Sequence, residues 1–309
     1  MEEKRNSLFV LTGCTAVGKT DLALAWAEAF DAEIVSCDSL LFYRQMDIGT
    51  AKPTILERER APHHLVDMRP PSVQMDIGEY VDLAIQKVEK IWSRGRKVLV
   101  VGGSGFYLKA YFEPVVDSVV VSSNTRARVR EIEKESGLIG LLEALKEIDP
   151  DCEKIIDTKN PRRVARSLER CLETGESLLR LKTRFSNQRN RLIDSEKRLV
   201  VLEREKSDLN ARIEKRVIEM LENGLIDEVK RLREIGFASN PSAANAIGYR
   251  ETLEYLSGKC SRDTLIERIV VNTRQLAKKQ RTWFRTQLPS GKRVDLTNAE
   301  SVDIRSLFL

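Results

Sequence analysis

The sequence predicts an α/β protein: an open parallel sheet behind a phosphate-binding loop, with an inserted all-helical domain and C-terminal helices. Three observations carry this expectation. Short apolar runs alternate with helical stretches through the N-terminal third, a pattern that argues for parallel strands joined by right-handed crossovers. A glycine-rich loop separates the first apolar run from the first helix. After about Ser122 the pattern turns helical and charge-rich, and a strand-like run returns only near residue 198.

Leu8 to Thr12 is continuously apolar up to its final threonine, as expected of a strand buried on both faces. The loop GCTAVGKT follows at 13–20, then the helical TDLALAWAEAF. A second strand, AEIVSCD, ends at Asp38. The amphipathic GEYVDLAIQKVEKIWSRG precedes a third, KVLVVGG at 97–103. RLVVLE at 198–203 reads as a strand rejoining the sheet, after which the chain ends in helices. Residues 1–122 and 196–309 therefore form the expected core and 123–195 the insertion. SNQRNR (186–191) is the best candidate for a hinge or exposed loop.

The chain has 309 residues, 41% hydrophobic and 32% charged, enough for one large domain or two modest ones. Its net charge of +5 permits a polyanionic partner without requiring one. The charge is uneven: from Lys259 to Arg293 there are ten Lys or Arg against two acids, Asp263 and Glu267. Five scattered cysteines without C-x-x-C spacing argue against a disulfide framework and a cysteine zinc site. MEEKRNS opens the chain without signal-peptide character, and no apolar run approaches the ~20 residues that span a bilayer. The expectation is a cytoplasmic protein without a membrane segment.

Gly13-x4-Gly18-Lys19-Thr20 matches the phosphate loop in full, placed between a strand and a helix. Such a loop turns backbone N–H groups inward at the positive end of the next helix. Lys19 adds a point charge, and the Thr20 hydroxyl is the expected Mg²⁺ ligand. The loop alone names no reaction, since kinases, ATPases and some transferases share it. A nucleoside triphosphatase also needs a strand-terminal acid for its metal, yet KVLVVGG ends in glycines. The available acid is Asp38, at the carboxyl end of a strand, where open α/β sheets place ligands. As a residue alone it also suits a turn or helix cap. Adjacent His63 and His64 lack a third ligand and read as structural.

GCTAVGKT, DSLLFYRQMDIGTAKP, VGGSGFYLKA, NPRRVARSLE and TRQLAKKQRTWFR stand in the order and spacing of the bacterial-type tRNA dimethylallyltransferase (isopentenyltransferase) family. The resemblance runs from about residue 7 to 290, and DIGTAKP and TRQLAKKQRTWFR are more diagnostic than the loop. It implies transfer of a dimethylallyl group from dimethylallyl pyrophosphate to N6 of the adenosine beside the tRNA anticodon, with Mg²⁺. Carried over by position, Gly13, Cys14, Thr15, Ala16, Val17, Gly18, Lys19 and Thr20 hold the pyrophosphate. Asp38 becomes the general base, with Lys19 and Ser104 in the catalytic set. Asp38, Ser39, Leu40, Leu41 and Ser104 meet the adenosine. Arg126 and the stretch Arg162, Arg163, Val164, Ala165, Arg166 contact tRNA or close over the donor. The sequence departs from the family at Leu41, usually Gln, at Ser104, usually Thr, and at Cys14 and Val17, usually Pro and Ser.

The chemistry supports this use of the parts. An allylic pyrophosphate leaves with growing negative charge, which Lys19, Mg²⁺ and loop amides stabilise. The adenine amine is a poor nucleophile, and a carboxylate accepting its proton assists attack. Arg162, Arg166 and Arg170 share one helix face; Arg274, Lys278, Arg281 and Arg285, joined by Lys279, form a second basic stripe. The expected partner of the second is the backbone of an anticodon stem-loop whose adenosine is flipped out. Trp283 and Phe284 read as core. An adenylate isopentenyltransferase, a small-molecule kinase and a non-catalytic RNA-binding protein are the rivals. The long insertion and basic C-terminal helix argue against the first. No protein partner is implied, and the expected state is a monomer.

Overall fold

In a computed structural model, residues 6–117, 119–297 and 302–309 are described; the opening residues 1–5 lie outside them. Two compact units are present, residues 1–112 with 191–309, and residues 113–190. Sequence patterning placed these divisions at 122/123 and 195/196. Between the unit boundary and the first insertion helix the described residues form no helix or strand, so helical periodicity marks the helix start and not the unit boundary. The second division falls inside SNQRNR, just past a helix that ends at Ser186.

The first unit is a six-stranded, all-parallel sheet in the order β3-β2-β4-β1-β5-β6. β1 (Ser7–Gly13) leads through the loop into α1 (Lys19–Ala29), then β2 (Ala32–Ser36), α2 (Ile55–Arg60) and β3 (His63–His64). α3 (Ile77–Ser93), β4 (Lys97–Gly102) and α4 (Gly105–Lys109) complete the first half. The central strands are buried on both faces, which is why their sequences run apolar without alternation. Phe9, Trp26 and Phe308 cluster at one side of the sheet, with ring centroids 4.7 to 5.3 Å apart.

The second unit contains α5 (Ser123–Ile148), α6 (Pro161–Thr174) and α7 (Leu178–Ser186). Gly137 interrupts α5 with a positive φ of 59°. The unit has its own core, which includes Val129, Leu141, Leu145, Val164, Leu168 and Leu181. Asp149, buried beneath it, accepts the Leu178 N–H at 2.7 Å.

The chain then rejoins the first unit through α8 (Arg191–Asp194) and β5 (Glu196–Glu203). α9 (Lys206–Glu222), α10 (Leu225–Glu234), α11 (Pro241–Ala244), α12 (Tyr249–Leu256) and α13 (Arg262–Gln287) follow. A last strand, β6 (Lys292–Asp295), pairs with β5 at the sheet edge. Sequence patterning expected only helices here, because KRVD is charged and mostly exposed. Charge on an edge strand blocks further pairing while the backbone still completes the ladder. Among the described residues no helix is long and apolar enough to cross a membrane.

Candidate active site

The loop after β1 stands at the carboxyl ends of the strands, between β4 and β5. Lys19 Nζ donates to the Gly13 and Cys14 carbonyls, both at 2.9 Å, and so closes the loop on itself. Burial pushes the Lys19 ammonium down to about pKa 8; Cys14 and Asp38 oppose the shift and Arg216 adds to it. Cys14 and Val17 turn their side chains into the core, 2% and 0% exposed, so the loop offers only their backbone. Both departures from the family pattern in the loop are packing changes.

A bridge that sequence reasoning missed holds this loop. The Gln280 carboxamide, from α13, accepts the Thr15 N–H and donates to the Gly103 carbonyl, both at 2.9 Å. A Cβ at Gly103 would lie 2.9 Å from Gln280 Nε2 and 3.3 Å from the Gly13 carbonyl, so a side chain there would displace the clamp. The glycines that replace an acid at the end of β4 thus admit the loop and its clamp.

Asp38 follows β2. Its Oδ1 accepts the Leu40 N–H at 3.0 Å, so it does serve a turn. Its Oδ2 has no protein hydrogen-bond partner among the described residues. Ser104 Oγ accepts the Ser39 N–H at 3.0 Å and reaches the Ser39 hydroxyl at 3.3 Å, tying the β4 loop to the β2 loop.

Two cavities adjoin here. One, of about 510 Å³, is walled by the phosphate loop, with Lys19, Thr20, Asp38, Leu41 and Arg216 on its lining. The other, of about 660 Å³, is lined by Ser39, Leu40, Ser104, Tyr107, Lys279 and Trp283 among others. Six residues line both: Thr15, Asp38, Thr50, Gly103, Arg216 and Gln280. Leu41 therefore parts from Leu40: it lines the phosphate-loop cavity, and Leu40 lines the other. Phe284 is core at 3% exposure, whereas Trp283, expected in the core, is only half-buried and packs on Gly105; both rings line the larger cavity.

α9 supplies cations that sequence reasoning did not single out. Arg212 Nε donates to the Ala16 carbonyl at 3.0 Å, and Arg216 lines both cavities, its pKa lowered by burial. The signal was present as Arg212, Lys215 and Arg216 at helical spacing, but interleaved Glu214 and Glu219 made it resemble a solvated face.

The basic stripe of α13 divides. Arg274, Lys278, Arg281 and Arg285 line a groove of about 590 Å³ together with Lys206 and Arg293, whereas Lys279 faces the larger cavity. Arg274 is partly engaged by Glu214 at 3.0 Å. In the helical unit, Arg126, Arg162, Arg163 and Arg166 are exposed and Ala165 half-buried. Val164, expected among the RNA contacts, is fully buried in the core and its side chain is unavailable. Arg166 pairs with Glu169 at 3.2 Å, and Arg170 is held by Asp117, which takes it off the expected stripe.

His63 bonds the Ala61 carbonyl at 2.8 Å and His64 pairs with Glu33 at 2.6 Å, both on the short strand β3. Among the described residues no group of three or more His, Cys, Asp or Glu is arranged to hold a metal.

The family model described as IPP transferase matches residues 41–287. The chain belongs to the IPP transferase family. Within it, a tRNA dimethylallyltransferase of Opitutus terrae is 54% identical over 288 residues, covering 93% of this chain and 92% of the relative. The crystal structure of a tRNA isopentenylpyrophosphate transferase from Bacillus halodurans matches with a TM-score of 0.69 at 33% identity, covering 97% and 92% of the two chains. A eukaryotic dimethylallyltransferase acting on tRNA matches with a TM-score of 0.82 at 28% identity, covering 95% and 74%. The phosphate loop lies outside the matched family segment, which holds Asp38's neighbours from Leu41 onward, the helical unit and α13.

Proposed function

We propose that this protein transfers the dimethylallyl group of dimethylallyl pyrophosphate to N6 of the adenosine 3′ to the anticodon in tRNA, releasing pyrophosphate. The carrying observation is Asp38 at the junction of two cavities, with one carboxylate oxygen fixed by a turn and the other without a hydrogen-bond partner among the described residues. The anion cradle lies on one side of that carboxylate, and a space walled by Ser104 and Trp283 lies on the other. In the proposed step the allylic C–O bond breaks and its electrons stay with pyrophosphate. N6 bonds the allylic carbon, and the N6 proton passes to Asp38. Lys19, Arg216 and the loop amides meet the charge on the leaving group.

The residues suit Mg²⁺, which is commonly held by few protein oxygens and by substrate phosphates. The exposed Thr20 hydroxyl is the expected ligand. When bound, it neutralises charge developing on the pyrophosphate. The five cysteines are all free thiols, in keeping with action in the cytoplasm. The proposed state is a monomer.

Incubation with labelled dimethylallyl pyrophosphate and tRNA, AMP or ATP tests the assignment. Label in tRNA is expected; label in AMP, ATP turnover or no reaction would each support a rival.

Reversing Lys278, Arg281 and Arg285, all exposed on the α13 groove, to Glu is expected to weaken tRNA binding and flatten its salt dependence. Each lost phosphate contact lowers the log–log slope by up to about one. Donor binding is expected to persist, and an unchanged slope would return the groove to solvent.

Leu41→Gln is expected to act on the donor, because Leu41 faces the phosphate-loop cavity. An amide placed there without a partner costs about 1–3 kcal/mol. The donor Kd should rise while the tRNA Kd stays constant. Improved tRNA binding in the variant would place residue 41 against the base after all.

A further inference from the structure

The motif DIGTAKP at 47–53 is diagnostic in sequence, yet none of its side chains enters the chemistry above. The structure shows its backbone held by a buried carboxylate on another element. Glu228, on α10, is 2% exposed. Its Oε2 accepts the N–H groups of Asp47 at 3.0 Å and Ile48 at 2.7 Å. Its Oε1 accepts the Gly49 N–H at 3.2 Å and the Tyr249 hydroxyl at 2.7 Å. Four donors on one carboxylate fill its lone pairs, and three consecutive N–H groups make an internal anion nest. Gly49 is required by close approach: a Cβ there would stand 2.6 Å from the Tyr249 ring.

The far end of the loop is pinned separately. Lys52 Nζ, buried, reaches the Tyr43 carbonyl at 2.7 Å and the Asp47 and Asp67 carboxylates at 2.6 Å. The Thr50 hydroxyl donates to the Met46 carbonyl at 2.7 Å. Thr50 itself lines both cavities, on the wall completed by Asp38 and Arg216 and closed by the Gln280 clamp. The junction is thus bounded by two independently clamped pieces of backbone, the phosphate loop under Gln280 and the 47–50 loop under Glu228.

We infer that Glu228 is a positioning residue for group transfer, fixing through residues 47–50 the aperture in which donor carbon and acceptor nitrogen align; this rests on the prenyl-transfer reading. Alignment within a fraction of an ångström governs such a step, whereas anion binding on the opposite loop does not depend on it. Loss of the clamp should therefore separate rate from donor affinity.

Glu228→Gln keeps the shape but turns an amide NH₂ toward backbone N–H groups. Amides 47–49 are expected to exchange hydrogen faster, with the Kd for inorganic pyrophosphate within about twofold of wild type. Single-turnover transfer to tRNA per folded molecule should slow by about tenfold to a hundredfold. Tyr249→Phe, which removes one neutral donor and leaves the carboxylate, should slow it by less than about fivefold. If Glu228→Gln does not fold, Gly49→Ala disturbs the same loop from the ring side and takes the same measurements. A normal transfer rate despite faster exchange at 47–49 would overturn the positioning role. So would parallel losses of rate and pyrophosphate affinity. A wild-type protein that binds pyrophosphate but prenylates no tRNA would overturn the functional reading and this role with it. Normal wild-type transfer with an unimpaired variant would overturn the role alone.

Discussion

Asp38→Asn is expected to slow prenyl transfer to tRNA by about 10²–10⁴-fold, the usual worth of a positioned general base. The substitution isolates basicity from structure. Asn keeps an oxygen for the Leu40 N–H, so the turn now closed at 3.0 Å by Asp38 Oδ1 should survive. What disappears is an acceptor for the N6 proton at the meeting point of the two cavities. Donor and tRNA affinities should change little, because Lys19 and the basic surfaces are untouched. Single-turnover transfer under saturating substrates measures the effect without interference from product release. A rate within a few-fold of wild type would leave Asp38 as a turn residue and require another base.

What could be read from the sequence is what is contiguous in it. The phosphate loop, Asp38 at the end of β2 and the buried central strands each carry their signal within a few residues. The parallel sheet follows from their alternation with helices, and the six-stranded order has the expected parallel character. β3 and β6 were invisible for different reasons: one is two residues long, and the other is a charged edge. The clamps were invisible because their partners are distant in sequence. Gln280 meets Thr15, 265 positions away, and Glu228 meets Asp47, 181 positions away. Both sit on charge-rich helices, where a polar residue facing inward has the same local pattern as one facing water. Leu40 and Leu41 show a further limit: they are adjacent yet line different cavities, because sequence adjacency does not say which wall a side chain joins.

Lys19→Ala is expected to weaken donor binding by about 2–5 kcal/mol, the cost of removing a buried charge partner. That range corresponds to a factor of roughly 30 to several thousand. Transfer should slow as well, since Lys19 meets charge that grows on the leaving group. The tRNA affinity should remain nearly constant, because Lys19 serves the phosphate loop and not the basic groove on α13. The pH dependence gives a second, independent reading. Burial has lowered the Lys19 pKa from 10.5 to about 8, so the free site loses its cation as pH rises through about 8. Wild-type donor affinity should consequently fall above that pH, by up to about tenfold per unit, until the pKa of the donor-bound site is reached. The variant should show no such fall. Stability moves in the opposite sense. The unfolded chain holds the Lys19 proton up to about 10.5, while the folded state releases it from about 8, so this group makes unfolding harder as pH rises across that window. Chemical denaturation of the unliganded proteins near pH 7.5 and 9.5 should show that rise in wild type and not in Lys19→Ala. A loss of tRNA binding equal to the loss of donor binding would mean that the loop grips RNA phosphate. An unaltered pH profile in the variant would assign the titration to another group, with Arg216 and its neighbours carrying the leaving-group charge in place of Lys19.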